Sequence, residues 1–377
     1  MQQETSNILP IANCQSPIGN GQCTESTRLP WLDFASGIMI LWMIVYHAIS
    51  TAWGYELHDL WGITDASLLP AGVHAFIGIE GKLEVLNPCL VFPWLYFFMP
   101  WFFYKSGQFF TKQSVKELWQ KDTHKLLKTF VIWSAVGYVF YLLIGWLCDT
   151  ITIRNATYSV IRGLFLTGKV PINTPLWFLL TLFGVRMVAN KLLPEREDKY
   201  AAWKILSIVA VGYVVSYLTY RFNHRLLPYW VANGAAGLSF FALGYAMRDC
   251  EQKWIVLISS VVVCVVGSII GCPIVDMFPN KLVNGDYFLW IPVSLCAIII
   301  FNTLCKFLCR YIRIKPVELI GKNAMIIYVT HILVLTLVVE FLPITRLSTN
   351  LVIALIIMAY LLVLPILCWF KNNIRNS

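Results

Sequence analysis

Long apolar stretches separated by short polar connections dominate this chain. A membrane-spanning helix needs about 20 predominantly apolar residues, and fewer where the bilayer is thin, so about ten of these stretches are long enough to cross. The apolar runs are 31–53, 89–104, 127–147, 174–192, 203–220, 228–247, 254–271, 287–308, 318–340 and 350–370. The pattern predicts an all-α fold, a polytopic membrane helix bundle of about ten transmembrane helices.

The polar ends of the chain bound this bundle. Residues 1–27 are polar and turn-rich and lack the charged and apolar regions of a signal peptide, so we expect a disordered cytoplasmic tail there. Residues 28–371 form the predicted membrane domain. Residues 372–377 form a short basic stub, expected to be a cytoplasmic C-terminal tail.

Composition and charge support a membrane protein over a soluble one. Hydrophobic residues make up 58% of the chain and charged residues only 13%, about half of the roughly 25% that soluble domains carry. The formal net charge is +9. Most of the lysines and arginines fall in tails and alternate connections that would share one side of the membrane. By the positive-inside rule this bias predicts that both termini are cytoplasmic, and it explains the charge without a nucleic-acid partner.

Signatures of several soluble enzyme classes are absent from the sequence. There is no Walker A loop, no GxGxxG, no HExxH and no GxSxG. The eleven cysteines show neither CxxC nor a zinc-type spacing, so no metal is predicted. Any chemistry is therefore expected from residues inside the bundle.

The first apolar run contains two ionisable residues, Asp33 and His47. Such groups are costly within a membrane helix, which makes each one a functional candidate. Ser36 and His47 are eleven residues apart, so on a helix they share a face and lie about 16 Å apart along the axis. Alternatively, His47 is a structural residue that bonds a carbonyl on a neighbouring helix.

Five stretches, in order along the chain, resemble acyltransferase family 3, a family of integral membrane proteins. They are RLPWLDFASGIMILWMIVYH (28–47), MPWFFYKSGQFF (99–110), KDTHKLLKTFVIW (121–133), TPLWFLLTLF (174–183) and LIGKNAMIIYVTH (319–331). Each is weak alone, because aromatic-rich helices are common. Their order, over almost the whole membrane part, makes the resemblance specific.

The resemblance implies transfer of an acyl group, usually acetyl, from cytoplasmic acetyl-CoA as co-substrate to a hydroxyl of an extracytoplasmic or lipid-linked saccharide. His47 would be the general base or would briefly carry the acyl group, since a sugar hydroxyl is a poor nucleophile near neutral pH. Asp33 is the second catalytic candidate. The family also implies a bacterial inner membrane, with membrane lipids and a saccharide as partners; the oligomeric state is not predicted.

The remaining candidates follow from the donor and from the matched motifs. CoA phosphates would need cations at the cytoplasmic surface, and the same residues could instead be topology anchors. These candidates are Lys105, Lys125, Lys128, Arg310 and Arg313. Candidates to line the site are Ser36, Ser106, Trp177, Tyr328 and His331, with helix packing or interhelical hydrogen bonding as the alternative for each.

One position departs from the family pattern, which usually has Arg or Lys where this chain has Ser36. Lys105 is a possible substitute. The departure is also compatible with a different donor or acceptor, or with an inactive member of the family. A glycan or lipid transporter is a further alternative, although the internal repeats common in transporters are not evident.

Overall fold

The computed structural model describes residues 29–61, 97–147, 161, 173–195, 197–222, 229–248, 253–271, 273–277, 280–341, 347 and 349–376. Within them the chain is all-α apart from one small β-hairpin, which confirms the predicted fold class. The first seven helices are α1 (Pro30–Trp61), α2 (Phe98–Gln108), α3 (Val115–Asp122), α4 (Lys128–Leu147), α5 (Trp177–Leu192), α6 (Ala201–Arg221) and α7 (Tyr229–Met247). They are followed by α8 (Trp254–Ile270), β1 (Ile274–Asp276), β2 (Lys281–Asn284), α9 (Tyr287–Tyr311), α10 (Lys315–Lys322), α11 (Ala324–Phe341) and α12 (Thr349–Asn376).

Four helical segments of the described chain are long and apolar enough to cross a membrane: Pro30–Ala48, Val115–Leu143, Ala201–Arg221 and Tyr287–Tyr311. The bent pair α10–α11 counts as a fifth if it is one span. The chain is thus a membrane protein, whereas about ten crossings and two cytoplasmic termini remain predictions. The predicted tail 1–27 lies outside the described residues, and α12 continues through Asn376, past the predicted boundary at 371.

The second crossing begins at a well-defined cap. Ser114 Oγ accepts from the Glu117 amide and the Glu117 carboxylate accepts from the Ser114 amide, a capping box that starts α3. A π-helical turn, Thr123–Leu127, then joins α3 to α4. One extra residue in a turn rotates the side chains that follow, and such turns are frequent at functional sites.

Glycines on both helices let α2 and α7 approach closely. A Cβ added at Gly107 of α2 would lie 1.9 Å from the carbonyl oxygen of Phe241 on α7, and one at Gly244 of α7 would lie 2.0 Å from that of Tyr104. No other residue fits at such distances. The Gly107 contact supports helix packing, the alternative given above for the neighbouring Ser106.

A sharp bend separates α10 from α11. The two helix axes differ by 85° across Asn323, whose side-chain amide donates to the Leu319 carbonyl, 2.9 Å away. Helix α10 packs on the first turns of α1, where a Cβ at Gly321 would meet the Asp33 carbonyl at 1.7 Å. Helix α11 continues along α1 toward His47.

The β-hairpin between α8 and α9 is fixed by a buried polar cluster. Asn280 has a left-handed backbone (φ 63°), and its side-chain amide donates to the Ser216 carbonyl on α6 at 2.8 Å. The Tyr287 hydroxyl of α9 donates to Asn280 Oδ1 at 2.8 Å. These bonds tie the hairpin to two helices, so its inner strand is held in a defined place.

Candidate active site

His47 of α1 lines a cavity of about 200 Å³ formed by four helices, the turn before α5 and the hairpin. The cavity wall is mainly aromatic and apolar, with an imidazole, a carboxylate and a threonine as its principal polar side chains. Its residues are Met43, Tyr46, His47, Phe98, Met99, Pro100, Thr174, Pro175, Trp177, Val275, Asp276, Met277 and Tyr328. Three predicted site residues, His47, Trp177 and Tyr328, are therefore brought together at one cavity.

His331 of α11 lies directly behind His47. The two imidazole rings are 5.2 Å apart, centroid to centroid, and the side chain of His331 is buried. His331 Nδ1 lies 2.5 Å from the Tyr328 carbonyl oxygen, and the Tyr360 hydroxyl of α12 donates to the His331 carbonyl. The structure thus joins both predicted histidines, from opposite ends of the sequence.

Aromatic rings connect three of the matched motifs. The Phe178 ring of α5 lies 4.9 Å from Phe103 of α2 and 5.7 Å from Tyr328 of α11, and both contacts are edge-to-face. The Tyr328 hydroxyl donates to the Pro175 carbonyl, which anchors α11 to the turn before α5. Edge-to-face aromatic pairs stabilise by about 0.5–1.5 kcal/mol beyond their area burial, so this cluster holds Tyr328 in place at the cavity.

A second polar site lies at the opposite end of the same α1 face. Lys105 of α2 extends its ammonium group to Ser36 Oγ at 2.6 Å and over the Trp101 ring, 5.0 Å from its centroid. The Ser36 hydroxyl in turn donates to the Leu32 carbonyl at 2.6 Å. A cation therefore stands beside position 36, supplied by α2 and not by α1. We call this end of the bundle the basic end, defined by Lys105, Ser36 and Lys306, whose ammonium lies 4.6 Å from the Trp31 ring.

The α1 face between the two sites is closed by apolar side chains. Ile40 and Met43 are each only 1% exposed, and Ile44 is 3% exposed. Eleven residues of helix separate Ser36 from His47, about 16 Å along the axis. The basic end and the His47 cavity are thus two separate sites along one helix in this structure.

Asp33, the second predicted catalytic residue, is not near His47. It lies in the first turn of α1, fourteen residues and about 21 Å along the axis from His47. Its side chain is buried beneath α10, with Oδ2 making no hydrogen bond within the described chain. A carboxylate in a first turn interacts favourably with the helix dipole, and the catalytic role of Asp33 stays a prediction.

The other predicted phosphate ligands have exposed side chains. Lys125 lies in the π-helical turn, Lys128 starts α4, and Arg310 is in the last turn of α9. Arg313 Nε lies 3.6 Å from Glu318 Oε1, with much of its side chain in solvent. Lys105 is the one predicted phosphate ligand for which the structure gives a contact to another predicted site residue.

Sequence reasoning missed Arg186 of α5. Its Nε donates to Asp122 Oδ2 at 2.6 Å, and another guanidinium nitrogen donates to Ser106 Oγ at 3.1 Å. The guanidinium also lies 5.2 Å from the centroid of the Phe110 ring. Arg186 stands within the run 174–192, so the rule that marks ionisable residues in membrane helices would have found it. This cluster fixes predicted Ser106 at the junction of α2, α3 and α5.

Comparison with known families agrees with this geometry. The model of an acyltransferase domain family, acyltransferase family 3, matches residues 29–370, nearly the whole chain. The chain belongs to this family, as the five motif stretches predicted, and it is a membrane acyltransferase in that general sense. No curated protein and no solved structure matches it.

Proposed function

We propose that the protein transfers an acyl group, acetyl in the first instance, from acyl-CoA at the basic end to a saccharide hydroxyl in the His47 cavity. The observation that carries the proposal is the position of His47 in a cavity with a second histidine behind it. A hydroxyl becomes a useful nucleophile only when a base accepts its proton, and a neutral imidazole is the usual base near neutral pH.

The basic end supports binding of the donor. CoA carries several phosphate charges, and Lys105 offers an ammonium held by Ser36 and by the Trp101 ring. Lysine binds phosphate as a compact point charge. The pantetheine arm of CoA is comparable in length with the separation of about 16 Å between Ser36 and His47, so a donor held at Lys105 would bring its thioester to His47. Ile40 and Met43 would have to move aside, and methionine is the more adaptable of the two.

The cavity supports a saccharide as acceptor. Tyr46, Phe98 and Trp177 offer flat apolar faces, and Asp276 of the hairpin offers a carboxylate at the rim. Sugar rings have apolar C–H faces that stack on aromatic rings and hydroxyl groups that donate to carboxylates. Because the positive-inside rule assigns the basic end to the cytoplasm, this cavity would open toward the extracytoplasmic side of a bacterial inner membrane.

The chemistry follows from these positions. His47 takes the proton of the acceptor hydroxyl while the oxygen attacks the thioester carbonyl, and CoA leaves as the thiolate. Alternatively, His47 first accepts the acyl group and passes it to the saccharide. Both routes need His47 at the meeting point of donor and acceptor.

The test is transfer of radiolabelled acetyl from acetyl-CoA by the purified protein in nanodiscs, with a mixed pool of cell-envelope saccharides. Wild type is compared with His47→Ala and with His124→Ala, which replaces an exposed histidine of the π-helical turn. Label should enter saccharide with wild type and His124→Ala and fall by at least about 100-fold with His47→Ala. Absence of transfer from any acyl-CoA, or full activity of His47→Ala, would overturn the proposal.

A further inference from the structure

The bond from His331 to the backbone decides which nitrogen of its ring carries a hydrogen. A carbonyl oxygen can only accept, so Nδ1, 2.5 Å from the Tyr328 carbonyl, must be the donor. In the neutral ring, Nε2 then carries a lone pair. This Nε2 is buried and has no hydrogen-bond partner within the described chain.

The imidazole of His47 is the neighbouring group that can donate a hydrogen bond to this lone pair. Two imidazoles joined by an N–H···N hydrogen bond of ordinary length have centroids about 5 Å apart. The observed separation of 5.2 Å between His47 and His331 matches that value. Hydrogen bonds of catalytic groups are often incomplete without substrate and form in the loaded complex, so a small rotation of His47 would complete this one.

We propose that His331 is the positioning residue for His47: its Nε2 accepts the N–H of His47 and so turns the other nitrogen of His47, with its lone pair, toward the cavity. The inference rests on the proposed function of His47. His331 itself does not line the cavity, so it acts through His47 and not on the substrate.

This role is one that a carboxylate fills in many triads, where it orients the base and fixes its tautomer. Here Asp33 of α1 is about 21 Å from His47 along the axis, and the Asp276 carboxylate lines the cavity from the hairpin. A neutral imidazole can do the same work without a buried negative charge. The proton accounting is simple: the acceptor hydroxyl loses its proton to the cavity-facing nitrogen of His47, while the hydrogen on the other nitrogen stays shared with His331.

Helix α12 and the Tyr328 carbonyl fix the backbone and the ring of His331 in the position from which it can orient His47. The Tyr360 hydroxyl bonds the backbone carbonyl of His331, and the Nδ1 bond fixes the rotation of its ring. Neither of these bonds involves His47. They allow the orienting role to be separated from a merely structural one.

The test compares His331→Gln with His331→Asn, using the intact protein in nanodiscs. Glutamine places an amide oxygen near the position of Nε2 and can accept the His47 N–H. Asparagine places an amide N–H near the position of Nδ1, so it keeps the Tyr328 bond and lacks the acceptor. If His331 orients His47, H331N should lose at least about 100-fold in kcat with KM values within about threefold, and H331Q should be at least about tenfold faster than H331N.

A purely structural role predicts the reverse order, because only asparagine retains the backbone bond. Equal rates for the two variants, or a faster H331N enzyme, would overturn the proposal. Thr336→Val, which removes a hydroxyl bonded to the Ile332 carbonyl farther along α11, is the control for local packing and should keep kcat within about threefold.

A second measurement does not depend on turnover. In ¹⁵N-histidine-labelled wild-type protein, magic-angle-spinning NMR should show one imidazole, absent from H331Q, with a protonated Nδ1 and an unprotonated Nε2. A protonated Nε2 on that ring would overturn the proposal even in an active enzyme. Loss of all transfer activity in wild type, with this tautomer present, would instead count against the proposed function.

Discussion

Lys105 of α2 donates a hydrogen bond to Ser36 of α1 across 2.6 Å. The family pattern usually places a basic residue at position 36, and this chain places its cation there from another helix. Trp101, one turn earlier on α2, supports the ammonium from the side. The structure thus places a cation beside Ser36, and that Lys105 substitutes for the usual basic residue stays a prediction.

Lys105→Met should weaken the donor and leave the acceptor unaffected. Methionine keeps the length of the side chain and removes its charge, so the KM for acetyl-CoA should rise about tenfold or more, the loss expected for one charge-assisted contact. The measurement is KM with acetyl-CoA and with S-acetyl-pantetheine, which has no phosphate. The rise should disappear with the phosphate-free donor.

Lys191→Met, on an exposed side chain in the last turn of α5, is the matched control and should leave both KM values unchanged. An equal effect of Lys105→Met on both donors would mean that Lys105 stabilises the α1–α2 contact and does not bind phosphate.

Asp276→Asn should change acceptor use without changing donor use. Asp276 stands at the cavity rim on β1, where its carboxylate can accept from sugar hydroxyls. Loss of one charged acceptor is worth about 1.5–3 kcal/mol, so the acceptor KM should rise at least about tenfold. Steady-state kinetics with the saccharide varied at saturating acetyl-CoA would measure it.

Asp286→Asn is the control for this prediction. Asp286 is the N-cap of α9, and its carboxylate accepts from the Phe288 amide at 2.8 Å. Asparagine caps helices as well as aspartate, so this variant should behave as wild type. Identical kinetics for both variants would exclude Asp276 from acceptor binding.

Substitutions of Arg186 and Asp122, which form an ion pair, should have non-additive effects on stability. Asp122 is buried, and removing either partner leaves the other charge uncompensated, at a cost of roughly 3–5 kcal/mol. Asp122→Leu and Arg186→Met should each lower the melting temperature in detergent strongly. The double variant should melt well above the value expected from adding the two losses.

A melting temperature of the double variant equal to the additive value would contradict direct coupling between these residues. Ser106→Ala is the control. It removes one hydrogen bond from the Arg186 guanidinium and leaves the ion pair with Asp122 intact, so it should lower the melting temperature less.

Gly107→Ala should destabilise the protein, whereas Gly184→Ala should not. A Cβ at Gly107 would lie 1.9 Å from the Phe241 backbone oxygen and force α2 from α7, whereas a Cβ at Gly184 of α5 meets nothing within 4 Å. Alanine is favoured over glycine in a helix by about 1 kcal/mol, so Gly184→Ala should be neutral or stabilising. Thermal unfolding in detergent would compare them, and equal destabilisation would refute the close contact of α2 and α7.

The sequence alone predicted the membrane-protein class, the acyltransferase family and the shared helix face of Ser36 and His47. The apolar runs predicted an all-α membrane protein, and helical spacing placed Ser36 and His47 on one face, because these features depend only on local periodicity. The motif stretches predicted that Trp177, Tyr328 and His331 belong near His47. The structure brings those residues together at or directly behind one cavity.

Other parts of the site depend on contacts between distant segments, which periodicity does not encode. Asp276 reaches the cavity because Asn280 fixes the hairpin to α6 and α9, more than 60 residues from Ser216 in sequence. The 85° bend at Asn323 directs α11 toward His47, although the run 318–340 looks like one straight span. Asp33 was a candidate as an ionisable residue in a membrane helix and by resemblance, and the structure places it under α10, about 21 Å along the axis from His47.

The closed α1 face between Lys105 and His47 matters for the permeability of the membrane to ions. A permanent passage wide enough for a pantetheine arm would also conduct water and protons and would short-circuit the membrane potential. Ile40, Met43 and Ile44 fill that stretch of the described bundle. Under the proposed function, an acyl group crosses only when these side chains move, so the described bundle would act as a hydrophobic seal that opens for the donor.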